Sequence, residues 1–293
     1  MKRVVMLLCC VLFSTLSCAE ETFVRPDTAT IEKWGKADYI LLGEVHDNAG
    51  GHELRLAWIK ELVNKHTYAL AFEQLDRDQQ QVLHDKEQAL LQVKAPYSDQ
   101  QLRALAESGG FAFKGWHWSY YAPLFNLALT RQLPLIGTNL NEHQMMKIMM
   151  GGEGMVGLPP DWTKEMSEEM QSRVEKGHCD MLPKDMVAPM AQAQIRRDQA
   201  LAESLVEAHH STKGPVILLA GNGHLRNDLA VPFWLREFDP HATIVSIAVM
   251  EQGNDDNEPL SAFDAVYLVK AQDRKDPCEE LKKHHFTMPH AKQ

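Results

Sequence analysis

Gly43-Glu44-Val45-His46 and Gly221-Asn222-Gly223-His224 each place a histidine three residues behind a glycine, at two points far apart in the chain. A glycine at the end of a strand lets the backbone turn sharply, and the histidine is then aimed across the top of the sheet. Two imidazoles arriving this way share one pocket. With Glu73 or Glu44 beside them they form a two-histidine, one-carboxylate set of the kind that holds zinc, manganese or ferrous iron with positions open for water. A site of that type lowers the pKa of bound water and supplies a hydrolytic nucleophile, so it predicts a metal-dependent hydrolase. Haem is the competing occupant. Its iron needs an axial donor, usually histidine, tyrosine or methionine, its propionates need arginine or other polar groups, and its ring needs apolar walls. Trp116-His117-Trp118-Ser119-Tyr120-Tyr121 offers such walls and two phenols, although this composition also suits a packed core corner with its polar tips satisfied. A lone Gly-x-x-His arises often by chance. The pair behind matching strands is what points to a shared site.

These side chains need a scaffold, and the chain supplies one. Residues 38–43 and 215–221 are short, continuously apolar runs bounded by turn residues, the pattern of strands covered on both faces. Residues 68–73, 133–137, 243–248 and 264–269 repeat it, with helical stretches at 51–65 and 191–210 between some of them. The fold class is α/β, a layered, mostly parallel sheet flanked by helices. In such sheets the ligand crevice lies at the carboxyl ends of the strands, where Glu44 and His46, Glu73-Gln74, Thr138-Asn139, and Asn222 with His224 fall. Residues 76–107, broken at Pro96, read as two solvated helices without chemistry. The helix at 191–210 has an apolar face of Ile195, Ala202, Leu205 and Val206, which Arg196 and Arg197 cannot both share; one of them ends on the surface or reaches the pocket to hold a carboxylate. Residues 141–190 hold ten of the fourteen methionines, with Gly151-Gly152 and Pro159-Pro160 and no strand signal. They read as an inserted helical cap, whose thioethers suit either an irregular core or a flat apolar ligand.

The 293 residues, 44% apolar and 24% charged, suffice for one sizeable core. Lys2-Arg3, an apolar run from Val4 to Leu16 and Ser17-Cys18-Ala19 form a signal peptide over residues 1–19, leaving a single domain over 20–293. Cleavage after Ala19 and lipidation at Cys18 are the two processing outcomes, which place the chain in the periplasm or on the outer membrane by a lipid anchor. The net charge of −10, more negative still once Lys2 and Arg3 are lost, speaks against nucleic acid as a partner. Cys179 and Cys278 are the cysteines left beyond Cys18; they offer one bridge from the cap to the carboxyl-terminal tail, or two free thiols. His284, His285 and His290 read as a tail without a role. No nucleophile elbow, phosphate loop or dinucleotide fingerprint follows any strand, which leaves serine hydrolases, nucleotide enzymes and dehydrogenases unsupported.

Leu41-Leu42-Gly43-Glu44-Val45-His46, His52, Phe72-Glu73, Trp116 with Tyr121, Gly177-His178-Cys179, Gln194 through Arg197-Asp198, and Ala220-Gly221-Asn222-Gly223-His224 together resemble the ChaN-like haem-binding uptake proteins of the Tiki and erythromycin esterase superfamily. The resemblance runs from about residue 30 to 278. It implies an exported, often lipid-anchored protein of haem or iron acquisition that binds haem at a homodimer interface and works with outer-membrane haem-uptake machinery. Carried onto this chain, it implies haem contacts from Glu44, His46, Glu73, Tyr121, His178, Arg197 and His224. The Tiki branch instead implies peptide hydrolysis with zinc or manganese on His46, Glu73 and His224. In the haem branch the iron is associated with a tyrosine, and this chain has none between Tyr121 and Tyr267. His143, His178, a cap methionine, Tyr120 or Tyr121 then remain as axial donors.

Overall fold

The computed structural model describes residues 24–152, 157–253, 258–276, 278, 279 and 282. The signal peptide with Cys18, the cap's Met155, and His284, His285 and His290 lie outside them. In chain order the elements are α1 (Thr28–Trp34), β1 (Tyr39–Glu44), α2 (Ala49–Leu62), β2 (Ala69–Asp76), α3 (Gln80–Leu91), α4 (Asp99–Ser108), α5 (Trp118–Arg131), β3 (Leu135–Asn139), α6 (Glu142–Met149), α7 (Lys164–Gly177), α8 (Lys184–Thr212), β4 (Val216–Gly221), α9 (Val231–Phe238), β5 (Ile244–Glu251) and β6 (Ala265–Val269). The six strands form one sheet in the order β3-β2-β4-β1-β5-β6, and every neighbouring pair is parallel. Each apolar run expected to be a strand is one.

Successive residues of a strand point to opposite faces, and here both faces are covered. Ile40, Leu42, Phe72, Leu219 and Val249 pack under α1 to α5, whereas Leu41, Ala71, Leu218 and Met250 pack under α7, α8 and α9. All six positions of β1 and of β4 are buried, which is why their sequences are unbroken apolar runs rather than alternating ones. Each fully buried leucine there contributes roughly 1.5–3 kcal/mol of transfer free energy.

Three expectations need correction. α3 and α4 are half-buried rather than solvated: Leu83, Leu90, Leu102 and Leu105 face the core, and the carboxylate of Glu87 is buried with them, accepting the Leu135 N–H at 3.1 Å. α8 begins at Lys184 and runs through Pro189, so part of the expected cap is continuous with the helix behind it. The glycines of the two histidine motifs do not carry a sharp turn. The positive-φ glycines among the described residues are Gly110, Gly151 and Gly253. Gly43 and Gly221 are strand residues whose missing side chains admit close neighbours: a Cβ on Gly43 would stand 2.1 Å from the Asn222 amide oxygen, and one on Gly221 would stand 2.9 Å from the His46 ring.

The cap is helical and sits where the sequence suggests. α7 packs along α8, with Met170 and Val174 in the same core as Ala191, Ile195 and Leu225, and α6 joins α8 through Met145 and Ile148. Met145 and Met170 are buried, as an irregular core requires, while Met150 is 66% exposed.

Candidate functional site

β1 and β4 are neighbours in the centre of the sheet, with Gly43 opposite Ala220 and Glu44 opposite Gly221. β2 flanks β4 on the other side, with Phe72 opposite Leu219. His46, Glu73 and His224 therefore leave three adjacent strands at the same carboxyl edge. The edges of the two motifs interlock, because the Asn222 side chain lies over Gly43 and bonds both the N–H and the C=O of Val249 on β5.

Glu44 is the hub beneath His46. Its Oε1 accepts from the His46 Nδ1 (2.7 Å), the Tyr121 hydroxyl (2.6 Å) and Gln74 (3.1 Å), and its Oε2 is ion-paired with Arg55. Burial alone would push this carboxyl up, but the Arg55 charge and the His46 bond overcome it and hold Glu44 at about 2. Burial and the same Arg55 lower His52 to about 4, so it is neutral; it accepts from Arg55 on Nδ1 (2.9 Å) and donates to the His46 carbonyl from Nε2 (3.0 Å). Trp116 meets His46 edge-on at 4.7 Å, and Tyr120 stacks on His52 at 4.5 Å.

Glu73 and Asp198 enclose His224. Asp198 Oδ1 lies 2.6 Å from Nδ1, and Glu73 Oε1 lies 3.5 Å from Nε2, while Glu73 Oε2 accepts the Gly221 N–H at 2.8 Å. Burial disfavours the imidazolium, yet the two carboxylates outweigh it and raise His224 to about 9. The same cation, helped by His46 and Arg197, holds Glu73 far below the usual carboxylate range despite its burial. Across the neutral range His224 is thus a cation facing an ionised Glu73, while burial pushes the Asp198 carboxyl up.

The sequence-derived set divides accordingly. His46, Glu73 and His224 do meet. Glu44 and Tyr121 are buried and bonded to each other, so they support the site from below. His178, the residue that caps α7, and His224 line a cleft of about 200 Å³ between α7 and α8, together with Met170, Arg173, Val174 and Gln194. Arg196 takes the surface option, pairing with Glu203. Arg197 takes the other: its hydrogen bond among the described residues is to Gln194, and its buried Nε has no partner there. His143 is exposed on α6.

Among the described residues, no group of three or more His, Cys, Asp or Glu side chains is arranged to hold a metal ion. His224 instead lies between Asp198 and Glu73, and Glu73 is turned to the Gly221 amide and His224.

Sequence reasoning named Asp198 only within the family resemblance, without a role, and passed over Arg55 and Arg274. Asp198 and Arg55 carried a legible signal, each being a charged residue on the apolar face of its helix, beside Ile195, Leu201 and Ala202 or Trp58, Ile59 and Leu62. Arg274 carried none. It reaches back from the segment after β6 to bond both oxygens of Asp47 (2.8 Å each) and both of Glu251 (2.6 Å each). Asn48, whose side chain caps α2 through the Gly51 N–H, also bonds the Lys270 carbonyl, so the loop carrying His46 is tied to this segment twice. Farther along, Cys278 forms a disulfide with Cys179, directly after His178.

The fold and site together define a parallel, three-layered α/β protein with an imidazole–carboxylate cluster at the switch of its central strands, under a helical cap. The match of residues 30–235 to the family described as haem-binding uptake, Tiki superfamily, ChaN shows that the chain belongs to that family. Its structure is similar to that of ChaN from Campylobacter jejuni, described with cofacial haem binding, at 22% identity over 82% of this chain and 89% of that one, with a TM-score of 0.68. A weaker likeness, TM-score 0.44 at 14% identity over 81% of this chain and 78% of that one, is to the erythromycin esterase EreC in its open conformation. No curated protein has a matching sequence.

Proposed function

We propose that the protein binds haem at the α7–α8 cleft, with Arg197 holding a propionate and Met170 and Val174 against the ring. The observation that carries this reading is Arg197, which is near enough to Glu73 to help lower its carboxyl, whose hydrogen bond among the described residues goes to Gln194 of the cleft, and whose buried Nε has no partner there. An arginine with donors to spare beside an apolar wall suits an anionic ligand with a flat apolar body. Family membership supplies the class of ligand. The haem supplies the iron chemistry when bound; the chain's own residues bind and orient it. A cleft of about 200 Å³ is smaller than the roughly 300–1,000 Å³ of pockets that enclose drug-sized ligands, so one haem face stays uncovered. A second copy of the chain covers that face in this proposal, and exposed Met150 and Leu158 on the cap side supply apolar surface for it.

Export to the periplasm, free or lipid-anchored through Cys18, belongs to the same proposal, and the Cys179–Cys278 disulfide supports an oxidising compartment. Among the described residues no helix is long and apolar enough to cross a membrane. Titrating haemin into the purified protein tests the reading. A saturable Soret shift is expected, weakened in Arg197→Ala, with the molecular mass by light scattering doubling on haem addition. A spectrum that stays that of free haemin at micromolar protein sinks it.

A further inference from the structure

We propose that the groove at the amino ends of β5 and β6 binds the carboxyl-terminal residues of an extended peptide that ends in an apolar side chain. All strands run the same way, so this groove lies at the opposite edge of the sheet from His46, Glu73 and His224. Its volume of about 620 Å³ falls within the roughly 300–1,000 Å³ of pockets that enclose small ligands. The register leaves a backbone donor and acceptor unused there. β6 begins with Ala265 opposite Ile247, and just before it the Asp264 N–H donates to the Ser246 carbonyl (2.9 Å) while the Asp264 carboxylate accepts the Ser246 N–H (2.7 Å). Alternate residues of a strand point their amide groups the same way, so the N–H and C=O of Ile244 face outward from β5 with no strand beside them among the described residues. An open edge of this kind pairs with an added extended chain.

The floor of the groove is apolar and rigid. Trp34, Val245, Ala265 and Tyr267 line it. Trp34 meets Trp58 and Tyr267 edge-on at 5.3 and 5.7 Å, and Trp58 meets Tyr267 in the same way at 5.1 Å, so the aromatic surface is set before a ligand arrives. The rim carries the charge. Lys33 and Lys36 line the groove, are exposed, and make no ion pair among the described residues. The neighbouring carboxylates are engaged elsewhere: Asp264 with the Ser246 N–H, Asp38 with the N–H and hydroxyl of Thr243 (2.8 and 2.7 Å), Glu32 with Lys65, and Asp27 with the Thr30 N–H (2.8 Å). In a chain of net charge −10, two unspent ammonium groups beside an open strand edge and an aromatic floor match a free α-carboxylate that follows an apolar residue.

The test is titration of the full, disulfide-bonded protein with the peptide acetyl-Gly-Ala-Phe, followed by amide NMR. Saturable shifts of the Ile244, Ala265 and Tyr267 amides are expected, with none at His46 or His224. The carboxamide of the same peptide should bind the wild type roughly tenfold more weakly, and so should the free acid bind the double variant Lys33→Glu with Lys36→Glu. Both lysines are exposed, so this variant keeps the fold, which its amide dispersion checks. Equal affinity for acid and carboxamide, shifts confined to the edge of His46 and His224, or no shift up to roughly 10 mM peptide each overturn the proposal. So does a molecular mass by light scattering that is doubled in the peptide-free wild type and single in the double variant, which would name a second copy of the chain as the occupant. None of these results bears on haemin binding at the other edge.

Discussion

The residue that dominates the site's electrostatics is His224, and the sign of its pH effect follows from its environment. Its folded value of about 9 exceeds the ordinary 6.5, so its contribution to stability is complete below 6.5 and is lost as pH rises through 9. Asp198→Asn removes one of the two anions responsible. The His224 titration, followed by NMR of its ring protons, should move down from about 9 toward 6.5, and the variant should be less stable than the parent at pH 6 but nearly equal above pH 9. An unmoved titration would show that Glu73 alone sets the charge. Glu87 makes the opposite case. Burial lifts it from 4.5 to about 7, so the folded chain keeps a proton that the unfolded chain gives up, and its contribution is present below 4.5 and lost as pH rises through 7. Glu87→Gln keeps the acceptor for the Leu135 N–H and sheds the buried charge. A gain of about 1–3 kcal/mol at pH 8 and none near pH 4.5, measured by chemical denaturation, is expected. Equal curves at pH 8 would count against a buried, proton-holding carboxyl.

At the scale of elements, the strands and the meeting of the two histidine motifs were legible because burial on both faces leaves an unbroken apolar run, and a sheet gathers its strand ends at one edge. Glu73 was legible for the same reason, as the first polar residue after such a run. The reason for the glycines was not, since close approach depends on what lies opposite, and the strand pairing sets that. Gly221→Ala is therefore expected to leave the sheet intact and displace the His46 ring, at about 1–3 kcal/mol for overpacking, seen as a shift of the His46 imidazole resonances without loss of amide dispersion. The Arg274 clamp was equally hidden, because a lone arginine in a polar tail looks like any solvated charge. Arg274→Ala should raise hydrogen exchange in residues 45–48 and cost about 1–3 kcal/mol, because Glu251, 2% exposed, loses its charged partner. Unchanged exchange there would mean that the loop holds itself.

Over the whole molecule, the cap, the site and the tail form one closed circuit: Arg274 fastens the His46 loop, Cys278 fastens the end of α7, and Arg173 fastens α7 to the Gly223 carbonyl (3.1 Å) and Glu258 (2.6 Å) beside His224. The cysteine pairing was open in the sequence, where spacing cannot tell a bridge from two thiols. The bridge spans 99 residues of separation, so its loss enlarges the freedom of the unfolded chain substantially, by about 2–5 kcal/mol. Denaturation midpoints with and without dithiothreitol, and in Cys179→Ser with Cys278→Ser, should differ by that amount. Coincident midpoints would place the tail's hold elsewhere.

The strand order has one more outcome. β4 slots between β2 and β1, which do not touch without it, although nearly 150 residues separate Phe72 from Leu219 in the chain. A polypeptide threading out amino end first therefore presents only the β2–β3 pair and an unpaired β1 until β4 has emerged, and the rungs that bring residues 46, 73 and 224 level form late by necessity. The level meeting of three strand ends is in this way confined to finished molecules, and a chain cut short before residue 216 never brings its first motif beside its second.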